Sequence, residues 1–287
     1  MKLQTYQASS EARVAIQTPQ GLIDIQKAQP QLPSDIQTLL GMEGWLEKVQ
    51  ELRKQPGLPV IPVETVTLLP VIPHPEKIIC VGLNYADHAA ETGDQIPEIP
   101  VIFNKFPTAV AGQDAVVPIP RGVRKMDYEA ELVVVMGKGG RNINRQEAWK
   151  HIAGFCCGND LSARDWQFLP PARQWFIGKT FDGFAPIGPS LTTVDEIPQP
   201  AHLDISMKVN GECLQNSNTS QFIFDIPFLI EWISQVATLC PGDLIFTGTP
   251  PGVGMGKNPP RYLKEGDICE VEIEKIGILR TKIGKTR

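Results

Sequence analysis

The chain has 287 residues, 42% of them hydrophobic and 21% charged, an ordinary globular composition with room for one large domain or a large domain with a small companion. Its 27 basic and 32 acidic side chains give a formal net charge of −5, and without a basic stripe nucleic acid is excluded as an expected partner. No apolar run approaches the roughly 20 residues that span a bilayer, so membrane insertion is not expected either.

The N-terminal text, Met1 to Thr18, lacks a secretory apolar stretch, contains Glu11 and is poor in arginine. The expected compartment is the cytoplasm, with the mitochondrial matrix as the alternative should a presequence have been removed. Residues 1–70 read as a small N-terminal α+β domain. Strand-like pieces (Met1 to Tyr6, Arg13 to Ile16, Leu22 to Ile25) precede a helix that Ser34 and Gln37 would open as a capping box. Ile36, Leu39, Leu40, Trp45, Leu46, Val49 and Leu52 then recur at helical spacing. A proline- and glycine-rich linker begins at Gln55.

Residues 71–287 read as mainly β. Strands are expected over Lys77–Leu83, Val101–Asn104, Glu129–Met136, Ile152–Cys157, Ile205–Val209, Asp243–Thr247 and Ile268–Ile273. Two helices interrupt them, Arg145–His151 and Ile226–Leu239, the second opened by Asp225 with Pro227 in its first turn. That proportion does not suit a parallel α/β sheet. The six cysteines lack metal-type spacing and read as buried free thiols of a reducing compartment.

Glu129 and Glu131 stand two apart at the start of an apolar strand, so period two puts both carboxylates on one face. Two such charges repel unless a cation or a shared proton lies between them. A second strand, Ile152 to Gly158, ends at Asn159-Asp160, where Asp160 would supply a third oxygen donor. Three carboxylates without histidine or cysteine suit a hard ion, Mg²⁺ first, with Mn²⁺ or Ca²⁺ possible. Such an ion would keep open positions for the carboxylate and keto oxygens of a 2-oxo acid and would favour an enolate. An acidic, solvent-facing strand edge would show the same spacing.

Three further segments carry polar groups of interest. His88 and Glu91, three apart, would share a helical face, where the carboxylate charge-pairs the imidazole as a general base. An exposed pair on a surface loop is the alternative. In Asp160-Leu-Ser-Ala-Arg-Asp-Trp-Gln, Arg164 and Asp165 suggest a structural ion pair and Gln167 a substrate contact. Lys179, between glycine and aromatics, would counter an oxyanion, or else lie along the surface. The loop Phe246-Thr-Gly-Thr-Pro-Pro-Gly-Val-Gly would offer backbone N–H groups and Thr249 to a carboxylate, or be purely structural. Its prolines and the lack of a following helix argue against a dinucleotide site.

Taken together, VGLNYADHAAE, DYEAELVVVMGK, GNDLSARDWQ, GKTFDGFAPIGP and PGDLIFTGTPPGVG resemble the fumarylacetoacetate hydrolase family from Lys77 onward, and its domain-containing protein 2 subgroup in particular. The resemblance implies a mixed β-sandwich roll, mainly β with some α, and a homodimer. It implies Mg²⁺ or Mn²⁺ on Glu129, Glu131 and Asp160, and an acid–base dyad of His88 and Glu91 on a lid. It also implies that Lys179 supports enolate charge and that Gln167, Thr249 and Arg164 face substrate. Leu83 stands where many acylpyruvate-cleaving relatives carry arginine, which argues against the same substrates. The expected activity is enol–keto tautomerisation of oxaloacetate, a small-molecule 2-oxo acid. Acylpyruvate C–C hydrolysis or oxaloacetate decarboxylation is the alternative, and a non-catalytic metal-binding protein is a remote one.

Overall fold

The computed structural model describes residues 1–87, 96–171 and 173–286. Fourteen strands of three or more residues organise it: β1 (Lys2–Ala8), β2 (Glu11–Thr18), β3 (Gly21–Asp24), β4 (Ile78–Gly82), β5 (Val101–Lys105), β6 (Ala115–Pro118), β7 (Ala130–Met136), β8 (Ile152–Asn159), β9 (Ala185–Thr193), β10 (Asp204–Val209), β11 (Glu212–Asn218), β12 (Leu244–Phe246), β13 (Ile268–Ile273) and β14 (Gly277–Gly284). The larger sheet runs β3-β2-β1-β9-β8-β7-β12-β4-β5, and the smaller β11-β10-β13-β14-β6. Among these fourteen strands pairing is antiparallel except between β12 and β4 and between β14 and β6, and the two-residue strand Val110–Ala111 also lies parallel to β9.

β7 shows how the layers form. All seven of its residues are buried, so it reads as a continuous apolar run rather than an alternating one. Ala130, Leu132, Val134 and Met136 pack with Ile205, Met207, Val271 and Leu279 of the smaller sheet. Val133 and Val135 point the other way, into a second core with Leu3, Ile36, Leu39 and Val49. Glu129 and Glu131 fall in that second register, so the acidic pair looks away from the smaller sheet.

Residue 70, the expected boundary, lies between the two-residue strand Thr67–Leu68 and β4. The strands before it join the larger sheet, because β1 pairs with β9. The expected long helix is two, α2 (Ile36–Gly41) and α3 (Trp45–Arg53), after a single-turn α1 (Ile25–Ala28). Gly44, at φ +66°, separates α2 from α3 in a conformation that costs glycine little. Asp35, not Ser34, caps α2, accepting from the Thr38 N–H at 3.0 Å, so the capping box does not form.

Later come α4 (Arg164–Gln167), α5 (Trp175–Lys179) and α6 (Ile226–Val236), while Arg145–His151 is a 3₁₀ stretch. α6 stops short of the expected Leu239 because Ala237 is extended and Leu239 pairs with Gly140. All six cysteines are free, but Cys213 is exposed and Cys240 half-buried, so the expectation of buried thiols fails for those two.

Candidate functional site

The antiparallel register of β7 and β8 builds the site. Ala130 lies opposite Asn159, so the next residues outward, Glu129 and Asp160, meet, and the Asp160 N–H donates to the Glu129 carbonyl at 2.9 Å. Glu131 follows Glu129 on the same face. One oxygen from each of Glu129, Glu131 and Asp160 falls in a group no wider than 4.8 Å, and all three side chains are buried. A solvent-facing acidic edge is therefore not what the spacing signified.

Cations surround this cluster. Lys179 Nζ donates to Glu129 Oε2 at 2.7 Å and Asp160 Oδ2 at 2.8 Å. It is buried and not a surface lysine. Arg164 donates to Glu129 Oε1 at 2.7 Å, to Asp127 Oδ2 at 2.8 Å and to Gln167 Oε1 at 2.9 Å. The expected Arg164–Asp165 pair does not form, and Asp165 instead accepts from the Arg124 N–H at 2.7 Å. Placing Arg164 and Gln167 one turn apart in α4 aligns them on one side. Gly178 lets α5 close on α4, since a Cβ there would meet Gln167 Cβ at 2.5 Å.

Two important residues were missed in the sequence. Lys105 is fully enclosed, with Nζ 2.6 Å from Asp160 Oδ1 and hydrogen bonds to the carbonyls of Leu161, Phe184 and Lys179. It sits two residues beyond Phe103 and four beyond Val101 on β5, so period two alone pointed it inward. Asp127 accepts from the N–H groups of Gly254 at 2.7 Å and Met255 at 2.9 Å as well as from Arg164. The glycine-rich loop thus gives two N–H groups to a carboxylate of the chain itself. Asp127→Asn removes the charge that balances the buried Arg164 guanidinium and turns one of two accepting oxygens into an NH2 that faces N–H donors. A loss of about 3–5 kcal/mol in stability is expected, read as a lower urea midpoint at unchanged slope.

Four buried carboxyl groups (Asp127, Glu129, Glu131, Asp160) face three buried cations (Lys105, Arg164, Lys179), one acid more than the cations match. That excess centres on Glu131, whose Oε2 accepts the Gly248 N–H at 2.8 Å and which pairs with no cation among the described residues. Burial, then the charges of Asp160 and Glu129, push the Glu131 carboxyl well above the ordinary range. Burial acts in the same direction on Glu129, but Lys179 and Arg164 outweigh it and hold that carboxyl down to about 2. A divalent cation fits this chemistry: the donors are all oxygen, they converge, and the cluster is short of positive charge. Glu129, Glu131 and Asp160 would hold it.

The cluster lines a cavity of about 270 Å³ that also exposes Gln167, Thr249, Phe168 and Arg173. Thr249 Oγ1 accepts from Gln215 Nε2 at 2.9 Å. Leu83 also lines the cavity. Behind it Asn84 ties this segment to the glycine-rich loop, donating to the Thr247 carbonyl at 2.8 Å. Gly248, at φ +101°, lies so close that a Cβ would stand 2.9 Å from Asn84 Cβ. His88 and Glu91 lie outside the described residues.

The sequence profile of the fumarylacetoacetate (FAA) hydrolase C-terminal family matches residues 77–284. A Bos taurus mitochondrial oxaloacetate tautomerase, FAHD2A, is 43% identical over 263 residues, covering 92% of this chain and 84% of the relative. The Xenopus laevis mitochondrial oxaloacetate tautomerase fahd2 is 39% identical over 287 residues, covering 99% and 90%. Among solved structures, maleylpyruvate hydrolase from Sphingobium sp. SYK-6, in complex with manganese(II) ion and pyruvate, superposes with a TM-score of 0.82 at 28% identity over the whole of both chains. The profile match, the identities and the shared sheet-dominated fold agree: this chain belongs to the fumarylacetoacetate hydrolase family.

Proposed function

We propose that the chain is a divalent-metal-dependent oxaloacetate tautomerase, using Mg²⁺ by preference and Mn²⁺ in its place. The observation that carries this reading is the convergence of Glu129, Glu131 and Asp160 at the base of a cavity, with Glu131 paired to no cation among the described residues. The tautomerases that are 39–43% identical across most of the chain support the reaction. A cation on these residues would supply Lewis-acid stabilisation of charge on the keto oxygen.

The chain's own groups do the rest. Lys179 presents an ammonium where the keto oxygen gains charge, and the surrounding carboxylates keep it protonated. Gln167 and Thr249 orient the substrate from the cavity wall. His88, neutral and oriented by Glu91, takes a proton from C3 of the keto form, and the imidazolium so formed returns that proton to the C2 oxygen. No bond between heavy atoms breaks, so no water need be activated. The homodimer belongs to the same proposal and is read from sedimentation velocity at micromolar concentration.

The test follows decay of enol-oxaloacetate absorbance with Mg²⁺ and with EDTA. Metal-dependent acceleration supports the proposal. Release of pyruvate from acetylpyruvate, without that acceleration, would replace it with C–C hydrolysis, the reading favoured by the hydrolase solved with manganese and pyruvate. His88→Ala is expected to keep the metal and lose about 10²–10⁴-fold in turnover, as removal of a general base does. A full rate in that variant would remove His88 from the proton path.

A further inference from the structure

Among the described residues, every cation lining the cavity but one is committed. Arg164 is engaged by Asp127 and Glu129, and Lys179 by Glu129 and Asp160. Arg173 lines the same cavity, is exposed, and makes no ion pair among the described residues. Its guanidinium carbon lies 5.6 Å from the ring centroid of Phe168, another lining residue. A guanidinium over an aromatic face is held through its π surface and keeps its N–H edge available. That edge is a planar, bidentate match for a carboxylate.

We propose that Arg173 is the specificity residue for a second, distal carboxylate, so that the cavity selects dicarboxylic over monocarboxylic 2-oxo acids. This rests on the reading of the cavity as a 2-oxo acid site. The carboxylate and keto oxygens at one end of the substrate belong with the acidic cluster. The committed cations there are buried at the base, where a distal carboxylate would meet Glu129, Glu131 and Asp160 and be repelled. The exposed guanidinium gives that carboxylate a counter-charge and keeps the substrate in one orientation. Phe168 limits how far the side chain swings, which lowers the entropy lost on binding.

The Mn²⁺-loaded full chain is titrated calorimetrically with the non-enolisable difluoro analogue of oxaloacetate and, separately, with oxalate, which has no distal carboxylate. Arg173→Gln is expected to weaken the analogue by about 10- to 100-fold, the loss of a charged hydrogen-bonding partner, and oxalate by less than about 2-fold. Arg173→Lys, which keeps the charge and loses the fork, should fall between. Equal weakening of both ligands, or none for the analogue, overturns the assignment. Failure of the native chain to bind oxalate would overturn the 2-oxo acid reading and the assignment with it. An Arg173-dependent analogue affinity without tautomerase turnover would sink the reaction and leave the assignment standing.

Discussion

Glu131→Gln is expected to abolish divalent-cation binding while leaving the metal-free protein as stable as the native chain or more so. The first part follows from ligand number. Losing an outer partner of a ligand already costs about 10–100-fold in metal affinity, so losing one of three carboxylates costs more than that. The second part follows from charge. Burial and the neighbouring Asp160 and Glu129 raise the Glu131 carboxyl, so the folded state binds a proton that the unfolded chain releases. Glu131 therefore lowers stability as pH rises above the ordinary glutamate range. Glutamine carries no charge and keeps an oxygen for the Gly248 N–H. Thermal unfolding with EDTA and with Mg²⁺ checks both halves: the native chain gains stability from Mg²⁺ and Glu131→Gln does not. The same linkage gives a pH sign. A cation must displace the Glu131 proton, so metal affinity in the native chain rises with pH, by up to about tenfold per unit while that proton is held. A flat profile would show that Glu131 is already ionised in the folded protein.

Lys179→Met is expected to lower turnover by at least about 10²-fold, the scale on which one oxyanion-stabilising group acts. Its effect on stability should depend on metal. Lys179 holds Glu129 and Asp160 apart from each other's charge, and its removal leaves two buried carboxylates facing one another. Breaking a buried pair by removing one partner costs about 3–5 kcal/mol, and a divalent cation on the same oxygens offsets the lost charge. The increase in unfolding temperature on adding Mg²⁺ is thus larger in Lys179→Met than in the native chain. A smaller increase would mean that the cation does not share oxygens with Lys179.

The sequence made the acidic part of the site legible for a simple reason. Glu129 and Glu131 are neighbours at the period of a strand, so local rules put both on one face, and Asp160 was legible as an acid at the end of a second strand, which the register of β8 on β7 brings to them. The cations that set the electrostatics were not. Arg164 reaches Asp127 across 37 positions, and the Lys105 ion pair with Asp160 spans 55. No spacing rule reports such pairs. Reading Arg164 with its neighbour Asp165 was the local guess, and tertiary packing overrode it.

The fold shows the same division. Strands rich in β-branched residues, such as β7 and β13, lie where alternation and apolar runs place them. β9 was missed, although it sits between β1 and β8 near the middle of the larger sheet. Its Pro186, Gly188 and Pro189 read as breakers. Its pairing with β8 shifts register between Phe155 and Cys157, and such an irregularity tolerates residues that a regular ladder would reject.

The central claim is that Glu129, Glu131 and Asp160 together hold one divalent cation at the base of the cavity. Anomalous scattering at the manganese edge, from crystals grown with Mn²⁺ and oxalate, tests it directly. The account predicts one peak per chain within about 2.0–2.6 Å of an oxygen from each of the three carboxylates and of the oxalate. A peak elsewhere, or oxalate bound with no manganese among those side chains, would contradict it.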